Sequence, residues 1–151
     1  GYGKNKTFYG AAHRASYYSN NPNPSLVCQN QNDKFTVDSK NGNGKLRYPV
    51  GLISSDEFVF AGFNTKYSNL SNYQDITNYL YTNNDFWAIS PVLVDFSNDF
   101  YTGIGMVTSD GHVSDSHANS DLGVRPVVSL ADSTLINSNG DGTSANPYVV
   151  I

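Results

Sequence analysis

Asp85–Pro91 (DFWAISP) and Leu122–Leu130 (LGVRPVVSL) are the two stretches that decide the fold of this 151-residue chain. Both are short runs of apolar, aromatic and β-branched residues, which favour buried strands. A third run, Asp141–Ile151 (DGTSANPYVVI), adds a glycine turn and an apolar end. Polar segments separate the first two runs, so the pattern predicts rigid strands that support a surface made of loops.

A hairpin is predicted between the two runs. Ser109–Gly111 (SDG) is typical of a tight turn, because glycine adopts the positive φ that other residues resist. The flanking segments 103–108 and 112–115 are predicted strands, whereas Pro91–Thr102 is predicted to be a loop. Further short strands are predicted at 35–38, 46–53, 124–130 and 148–151.

Helix signals are few. Ser54–Glu57 (SSDE) matches a capping box, in which the serine hydroxyl and the glutamate carboxylate satisfy each other's backbone amides, so a helix is predicted over 55–61. A helical turn is predicted within 11–17, and the Asn- and Tyr-rich segment 63–84 is predicted to be a surface excursion with room for a second short helix. The predicted class is therefore α+β, with a twisted antiparallel sheet, one or two short helices and long loops.

Composition and charge limit the domain organisation and the partners. Hydrophobic residues make up 38% of the chain, but 11 Tyr, 8 Phe and 1 Trp provide large side chains for a core, so residues 1–151 are predicted to form a single domain. The net charge is -4 and the basic residues are scattered, which argues against nucleic acid as a partner. No apolar run approaches the roughly 18 residues of a membrane span, so no membrane contact is expected within this segment.

The start of the chain and its cysteine content point to an upstream segment. The sequence begins at Gly1 without an initiator methionine, and we expect that a preceding segment has been removed. Cys28 is the single cysteine and cannot form an internal disulfide. We predict a partly buried thiol there, with pairing to an upstream cysteine as the alternative.

No catalytic constellation is predicted. Nucleophilic catalysis needs a Ser, Thr or Cys held by a base. His13, His112 and His117 lie in no nucleophile-elbow or cysteine-protease context. Aspartates are too numerous for any acid–base pair to stand out. We therefore expect neither catalytic residues nor a cofactor.

Two segments contain residue types that bind metals. The first comprises His112, Asp115, His117 and Asp121. Strand alternation would place His112 and Asp115 on opposite faces, so a solvated polar loop is preferred to a metal site there. The second, 137–142, begins like a calcium loop, but Tyr148 stands where a bidentate glutamate is required, so a turn is preferred.

Trp87 and Arg125 are predicted framework residues. A guanidinium in an apolar strand needs carboxylates or carbonyls around it, so Arg125 is predicted to be a structural anchor, with ligand contact as the alternative. Trp87 is predicted to be core rather than a binding platform. The loops predicted at 91–102 and 114–121 mix aromatic and polar side chains, as adaptable binding loops do. The predicted ligand-binding residues are Asp95, Asn98, Asp99, Tyr101, His117 and Asn119.

Motifs spread over nearly the whole chain resemble the C-terminal part of a family of Gram-positive bacterial surface proteins, some of which carry a type IV pilin-like N-terminal helix. They lie at 9–11, 24–28, 32–37, 42–46, 48–53, 86–91, 123–130 and 140–150. The pair Trp-x-x-Ser-Pro and Gly-Val-Arg-Pro also resembles the ending of C-type-lectin-like domains, of variable proteins of diversity-generating retroelements and of relatives of formylglycine-generating enzymes. The order of the motifs is more specific than any one of them.

The resemblance implies a C-type-lectin-like fold, with Trp87 and Arg125 as framework. In the family, an upstream segment supplies a first strand and a cysteine that could partner Cys28. The oxidase relatives need paired active-site cysteines, so their chemistry is not carried over to a chain with one. The calcium and sugar signatures of animal lectins are absent from the sequence, so a glycan ligand does not follow from the fold.

Two functions from different classes are therefore expected. The first is a non-enzymatic, extracellular ligand-binding or adhesion domain at the cell surface, whose partner is an unknown extracellular protein or glycan. The second is the globular head of a pilin-like subunit, in which the same surfaces pack against neighbouring copies. An enzyme is the third alternative.

Overall fold

The computed structural model describes residues 5–15, 23–28, 34, 36–42, 44, 46–65, 80, 82–97, 100–128, 130–143 and 145–151. These residues form an α+β structure with a curled antiparallel sheet and two short helices, which confirms the predicted class. The helices are α1 (Gly10–Arg14) and α2 (Ser55–Phe60). The strands are β1 (Lys6–Phe8), β2 (Val50–Leu52), β3 (Asn64–Thr65), β4 (Phe86–Asp95), β5 (Tyr101–Val107), β6 (His112–His117), β7 (Pro126–Val128), β8 (Ile136–Asn137) and β9 (Val149–Val150).

The main sheet has the order β1-β4-β5-β6-β3. Strands β4, β5 and β6 follow one another as antiparallel hairpins, β1 pairs antiparallel with β4, and β3 joins β6 in parallel. The predicted turn at Ser109–Gly111 is confirmed, and Gly111 takes the expected positive φ of 83°. Two further pairs, β2 with β7 and β8 with β9, form small separate sheets.

The predicted loop at 91–102 is wrong for most of its length. Strand β4 continues through Pro91 as far as Asp95, and β5 already begins at Tyr101. Val92 and Leu93 are fully buried, and their burial keeps the chain extended where proline would suggest an end. The register with β5 shifts on both sides of Pro91, as expected for a bulge around a residue without an N–H group.

The loop predicted at 114–121 is also shorter than expected. Residues 114–117 belong to β6, which pairs with β5 as far as His117. The chain leaves the sheet only over 118–121. The polar residues at 114–117 suit a strand with one solvent-exposed face.

Aromatic rings form the main core. The ring of Phe58 on α2 meets those of Phe63 and Phe86 edge-on, with centroid distances of 5.5 and 5.4 Å. Ala88, Val107 and Val113 complete this buried cluster. A second cluster of Ala12, Val92 and Leu93 packs α1 on β4. Large aromatic side chains thus compensate for the low apolar fraction of the sequence.

Helix α2 is placed by polar contacts at its start. The predicted capping box is confirmed: Ser54 Oγ accepts from the Glu57 amide at 3.2 Å, and Glu57 Oε2 accepts from the Ser54 amide at 2.8 Å. The hydroxyl of Ser90, from the Trp-x-x-Ser-Pro stretch, accepts from the Ser55 amide at 3.0 Å. Ser90 therefore satisfies an N–H group that the helix itself leaves without a partner.

An ion pair connects the two helices. Arg14 Nε and Nη2 donate to the two carboxylate oxygens of Asp56 at 2.9 and 3.1 Å, and the Ser25 amide donates to Asp56 Oδ1 at 2.8 Å. Asp56 is almost fully buried, whereas the Arg14 side chain is 43% exposed. The fork geometry suits a carboxylate that has been removed from water.

Several predicted strands are shorter than expected or wrong. Residues 36–38 form no strand, because Asp38 instead accepts from the Lys40 amide and closes a turn. The strands predicted at 46–53, 124–130 and 148–151 are found over shorter ranges, as β2, β7 and β9. The second short helix expected within 63–84 falls mostly on 66–79 and 81, outside the described residues.

Candidate binding surface

The tip of the β4–β5 hairpin carries an exposed aromatic pair. Phe96 and Phe100 meet edge-on with their centroids 4.9 Å apart. Phe96 is 36% exposed and Phe100 is 66% exposed. Phe100 has a φ of 55°, which is unfavourable for an aromatic residue. The hairpin therefore holds a phenylalanine outward in a strained backbone conformation.

Asp95 anchors the base of this tip. Its Oδ1 accepts from the amide and the hydroxyl of Ser97 at 2.9 and 2.6 Å, and its Oδ2 lies 3.6 Å from Lys6 Nζ. These hydrogen bonds from Ser97, with the nearby Lys6 ammonium, hold the pKa of the Asp95 carboxyl below its usual value. The carboxylate is thus fixed in orientation and ionised at neutral pH.

Tyr101, Asp115 and His117 come together beside Asp95. The Tyr101 hydroxyl donates to Asp115 Oδ2, and the ring of His117 meets the Tyr101 ring edge-on at a centroid distance of 4.1 Å. Burial raises the pKa of the Asp115 carboxyl, and the hydrogen bond from Tyr101 opposes that shift without cancelling it. A phenol, an imidazole and a half-buried carboxyl therefore share one patch.

Tyr101 and Asp115 can lie this close together because position 103 between them has no side chain. A Cβ atom at Gly103 would lie 2.7 Å from Asp115 Oδ2 and 2.8 Å from a ring carbon of Tyr101. Gly103 faces His117 across the β5–β6 ladder, and Asp95 lies opposite both Lys6 and Tyr101 across its own two ladders. Strand register therefore brings together residues that are distant in sequence. The hairpin surface comprises Lys6, Asp95, Phe96, Phe100, Tyr101, Asp115 and His117.

Some residues of the hairpin surface were predicted from the sequence. Asp95, Tyr101 and His117 were predicted and do lie together, and Asn119 is exposed in the turn after β6. Asn98 and Asp99 lie outside the described residues. The sequence prediction missed Lys6, because the pairing of β1 with β4 has no local signal, and it did not include the exposed rings of Phe96 and Phe100.

The Trp and Arg stretches are neighbours in space. Phe86 and Gly123 form a parallel bridge, in which the Trp87 amide donates to the Gly123 carbonyl at 3.0 Å. Trp87 is half-buried. Arg125 Nη1 donates to the Leu80 carbonyl, and its guanidinium lies 5.1 Å from the centroid of the Phe86 ring. The anchor role of Arg125 stays a prediction.

The predicted metal-ligand types are used in other contacts. His112 Nδ1 lies 2.9 Å from Asp110 Oδ1 within the hairpin turn, and hydrogen bonds from Thr108 and His112 lower the pKa of Asp110. Asp141 Oδ1 accepts from the amide and hydroxyl of Thr143 at 3.0 and 2.7 Å, which closes the glycine turn. Within the described part of the chain, no three His, Cys, Asp or Glu side chains converge closely enough to hold a metal ion.

Comparisons with known proteins do not assign the chain to a family. No protein-family model, no curated protein and no solved structure matches the chain. Among the described residues, no helix is long and apolar enough to cross a membrane.

Proposed function

We propose that this chain is a non-enzymatic binding domain of C-type-lectin-like fold, which acts at the bacterial cell surface through the hairpin surface. The observation that carries the proposal is Phe100, which is 66% exposed and held at a φ of 55°. Folding alone gives no reason to place an aromatic residue in a strained backbone conformation with its side chain exposed to solvent. Strained residues of this kind concentrate at functional sites.

The chemistry around Phe100 suits non-covalent recognition. Two aromatic rings at the tip offer a large apolar contact at little cost in conformational entropy, and aromatic residues dominate the binding energy of protein interfaces. The charged and polar groups of Lys6, Asp95 and Asp115 form a rim beside them. An apolar centre with a polar rim is the usual anatomy of an interface.

The framework supports the fold assignment within this proposal. The resemblance places a Trp strand and an Arg strand on either side of a variable segment, and here Phe86 of β4 forms an isolated bridge with Gly123, which precedes β7. The intervening chain forms the β4–β5 and β5–β6 hairpins, so the hairpin surface is built mainly from the segment between the two motifs. This placement of the segment between the two motifs supports the proposed C-type-lectin-like fold.

Binding to an array of extracellular proteins and glycans tests the proposal. We expect the wild-type domain to bind at least one member, and Phe100→Ala to weaken that binding by at least tenfold, since central aromatic residues contribute about 2 kcal/mol or more. Phe60→Ala is the matched control, because Phe60 on α2 is comparably exposed at 57%. Equal binding by the two variants would contradict the proposal.

A pilin-like structural head is the second candidate, and the exposed apolar strands favour it. Val128 on β7 is 60% exposed, and Val149 and Val150 on β9 are each 55% exposed. Exposed apolar strands of this kind suit contacts with other protein chains. Electron microscopy of the full-length protein at the cell surface separates the two candidates: filaments favour packing, and isolated molecules favour ligand capture.

A further inference from the structure

An open groove lies where the Trp and Arg stretches diverge from their bridge. It has a volume of about 710 Å³. One wall is the segment 82–86 and the other is 121–125, with Ser109 from the β5–β6 turn between them. Binding sites for small ligands have volumes of about 300–1,000 Å³. None of the residues of the hairpin surface lines this groove.

Three charged side chains line the groove: Asp85, Asp121 and Arg125. Asp85 Oδ1 accepts from the Ser109 amide at 2.6 Å, and Arg125 contacts the Leu80 carbonyl and the Phe86 ring. Within the part of the chain that the structure describes, none of the three belongs to an ion pair. As far as the described residues go, one groove therefore presents both signs of charge without an ion pair between them.

Arg125 is the most informative of the three. It is half-buried, and one of its nitrogen atoms, Nη1, is satisfied by a carbonyl. A guanidinium carries five N–H donors in a planar fork that matches a carboxylate, and partial burial makes such a pair stronger than it would be in water. The remaining donors suit the carboxylate of a ligand.

The two aspartates determine what else the ligand must carry. A simple anion would be repelled by Asp85 and Asp121, which give the groove an excess of negative charge over Arg125 alone. A ligand with a carboxylate for Arg125 and an ammonium group for the aspartates satisfies both signs. Leu122 and Val124 add apolar contact along the same wall. Short peptides with free termini have this combination of groups.

We propose that the groove is a second binding site, separate from the hairpin surface, and that it takes a short zwitterionic peptide. The peptide carboxylate pairs with Arg125, and its ammonium group lies towards Asp121 and Asp85. The site is independent of the proposed function, since it uses different residues on another part of the molecule.

Titration of the isotope-labelled 151-residue domain with triglycine, followed by amide NMR shifts, tests the site. At pH 7 triglycine is a zwitterion, triglycine amide lacks the carboxylate, and N-acetyl-triglycine lacks the ammonium group. We expect saturable shifts at Ser109 and Gly123 with triglycine. Loss of the carboxylate should weaken binding about tenfold, as for a charge-assisted pair. Loss of the ammonium group should weaken it about threefold, as for an exposed pair.

Variants complete the test. Asp121 is exposed, so we expect its replacement to leave the fold intact; Asp121→Asn should reduce triglycine affinity about threefold, whereas Asp132→Asn, at another exposed aspartate, should not change it. Arg125→Gln should abolish the shifts, although it also removes the contact to Leu80. Absence of saturable shifts with triglycine, equal binding of N-acetyl-triglycine, or equal effects of the two aspartate variants would each overturn the proposal.

Discussion

At some positions of this chain, the space that neighbouring atoms leave limits which side chain can fit. Gly105 is the clearest case, because a Cβ atom there would lie 2.5 Å from Ser55 Oγ and 3.2 Å from the Ser90 carbonyl oxygen. Ser55 is fully buried, and among the residues that the structure describes its hydroxyl has no hydrogen-bond partner. The start of α2 can therefore approach β5 only where β5 has no side chain.

Gly105→Ala should lower the free energy of unfolding by about 2 kcal/mol, because overpacking of this kind forces the helix away from the sheet. Ser55→Ala in the same background removes the clashing oxygen and should recover about half of the loss. Gly51→Ala is the control, since no atom lies within 4 Å of a Cβ built there. Urea unfolding of the wild type and these three variants measures the effect, and equal losses for Gly105→Ala with and without Ser55→Ala would contradict the explanation.

Asp115 should make stability depend on pH. Its folded-state pKa is raised by burial, so the folded protein holds this proton more tightly than the unfolded chain does. The stabilising contribution is complete below the ordinary aspartate pKa of about 3.9 and is lost as pH rises through the raised folded-state value. Asp115→Asn keeps an acceptor for the Tyr101 hydroxyl and removes the buried charge.

Asp115→Asn should consequently be more stable than the wild type at pH 7, with the difference shrinking towards pH 4. Urea unfolding across this range provides the measurement. Asp132→Asn controls for the loss of one negative charge at an exposed position. A difference that stays constant with pH, or that grows in acid, would show that the fold does not raise the pKa of Asp115.

At the scale of elements, polar contacts fix the two helices. Helix α1 has five residues and α2 has six, and helices of this length do not persist in water without tertiary contacts. The Ser90 hydroxyl holds the start of α2, and the pair of Arg14 with Asp56 connects α2 to α1. Because Asp56 is buried and Arg14 is partly exposed, the two partners are not equivalent.

Arg14→Met should lower the free energy of unfolding by about 3 kcal/mol, because it leaves the buried Asp56 carboxylate without its cation. Adding Asp56→Asn removes that uncompensated charge and should recover part of the loss. Thermal and urea unfolding of the single and double variants measure the coupling. A double variant that is no more stable than Arg14→Met would mean that burial of the charge is not the cause.

At the scale of the whole molecule, the parts of the fold predicted from sequence were those with local causes. The capping box at Ser54–Glu57 and the turn at Ser109–Gly111 depend on residues a few positions apart, and both are confirmed. The length of β4 was misjudged, because the burial that keeps it extended beyond Pro91 comes from α1 and is invisible locally. At such positions tertiary packing outweighs the local conformational preference of the sequence.

The hairpin surface shows the same limit. Tyr101, Asp115 and His117 lie on two strands, and their meeting depends on a register in which Gly103 faces His117. A shift of one residue would send these side chains to opposite faces. Sequence could nominate Tyr101 and His117 as binding residues by their types, but could not pair them with Asp115 or add Lys6 from β1.

The outer strands of the main sheet have a consequence for how the protein behaves at high concentration. Strand β1 has three residues, including Lys6, and β3 on the opposite side has two. A short border that carries an ammonium group is a poor template for another chain, because the incoming strand would gain few backbone hydrogen bonds and desolvate a charge. We therefore expect that fibrils do not start from these two borders when the protein is concentrated.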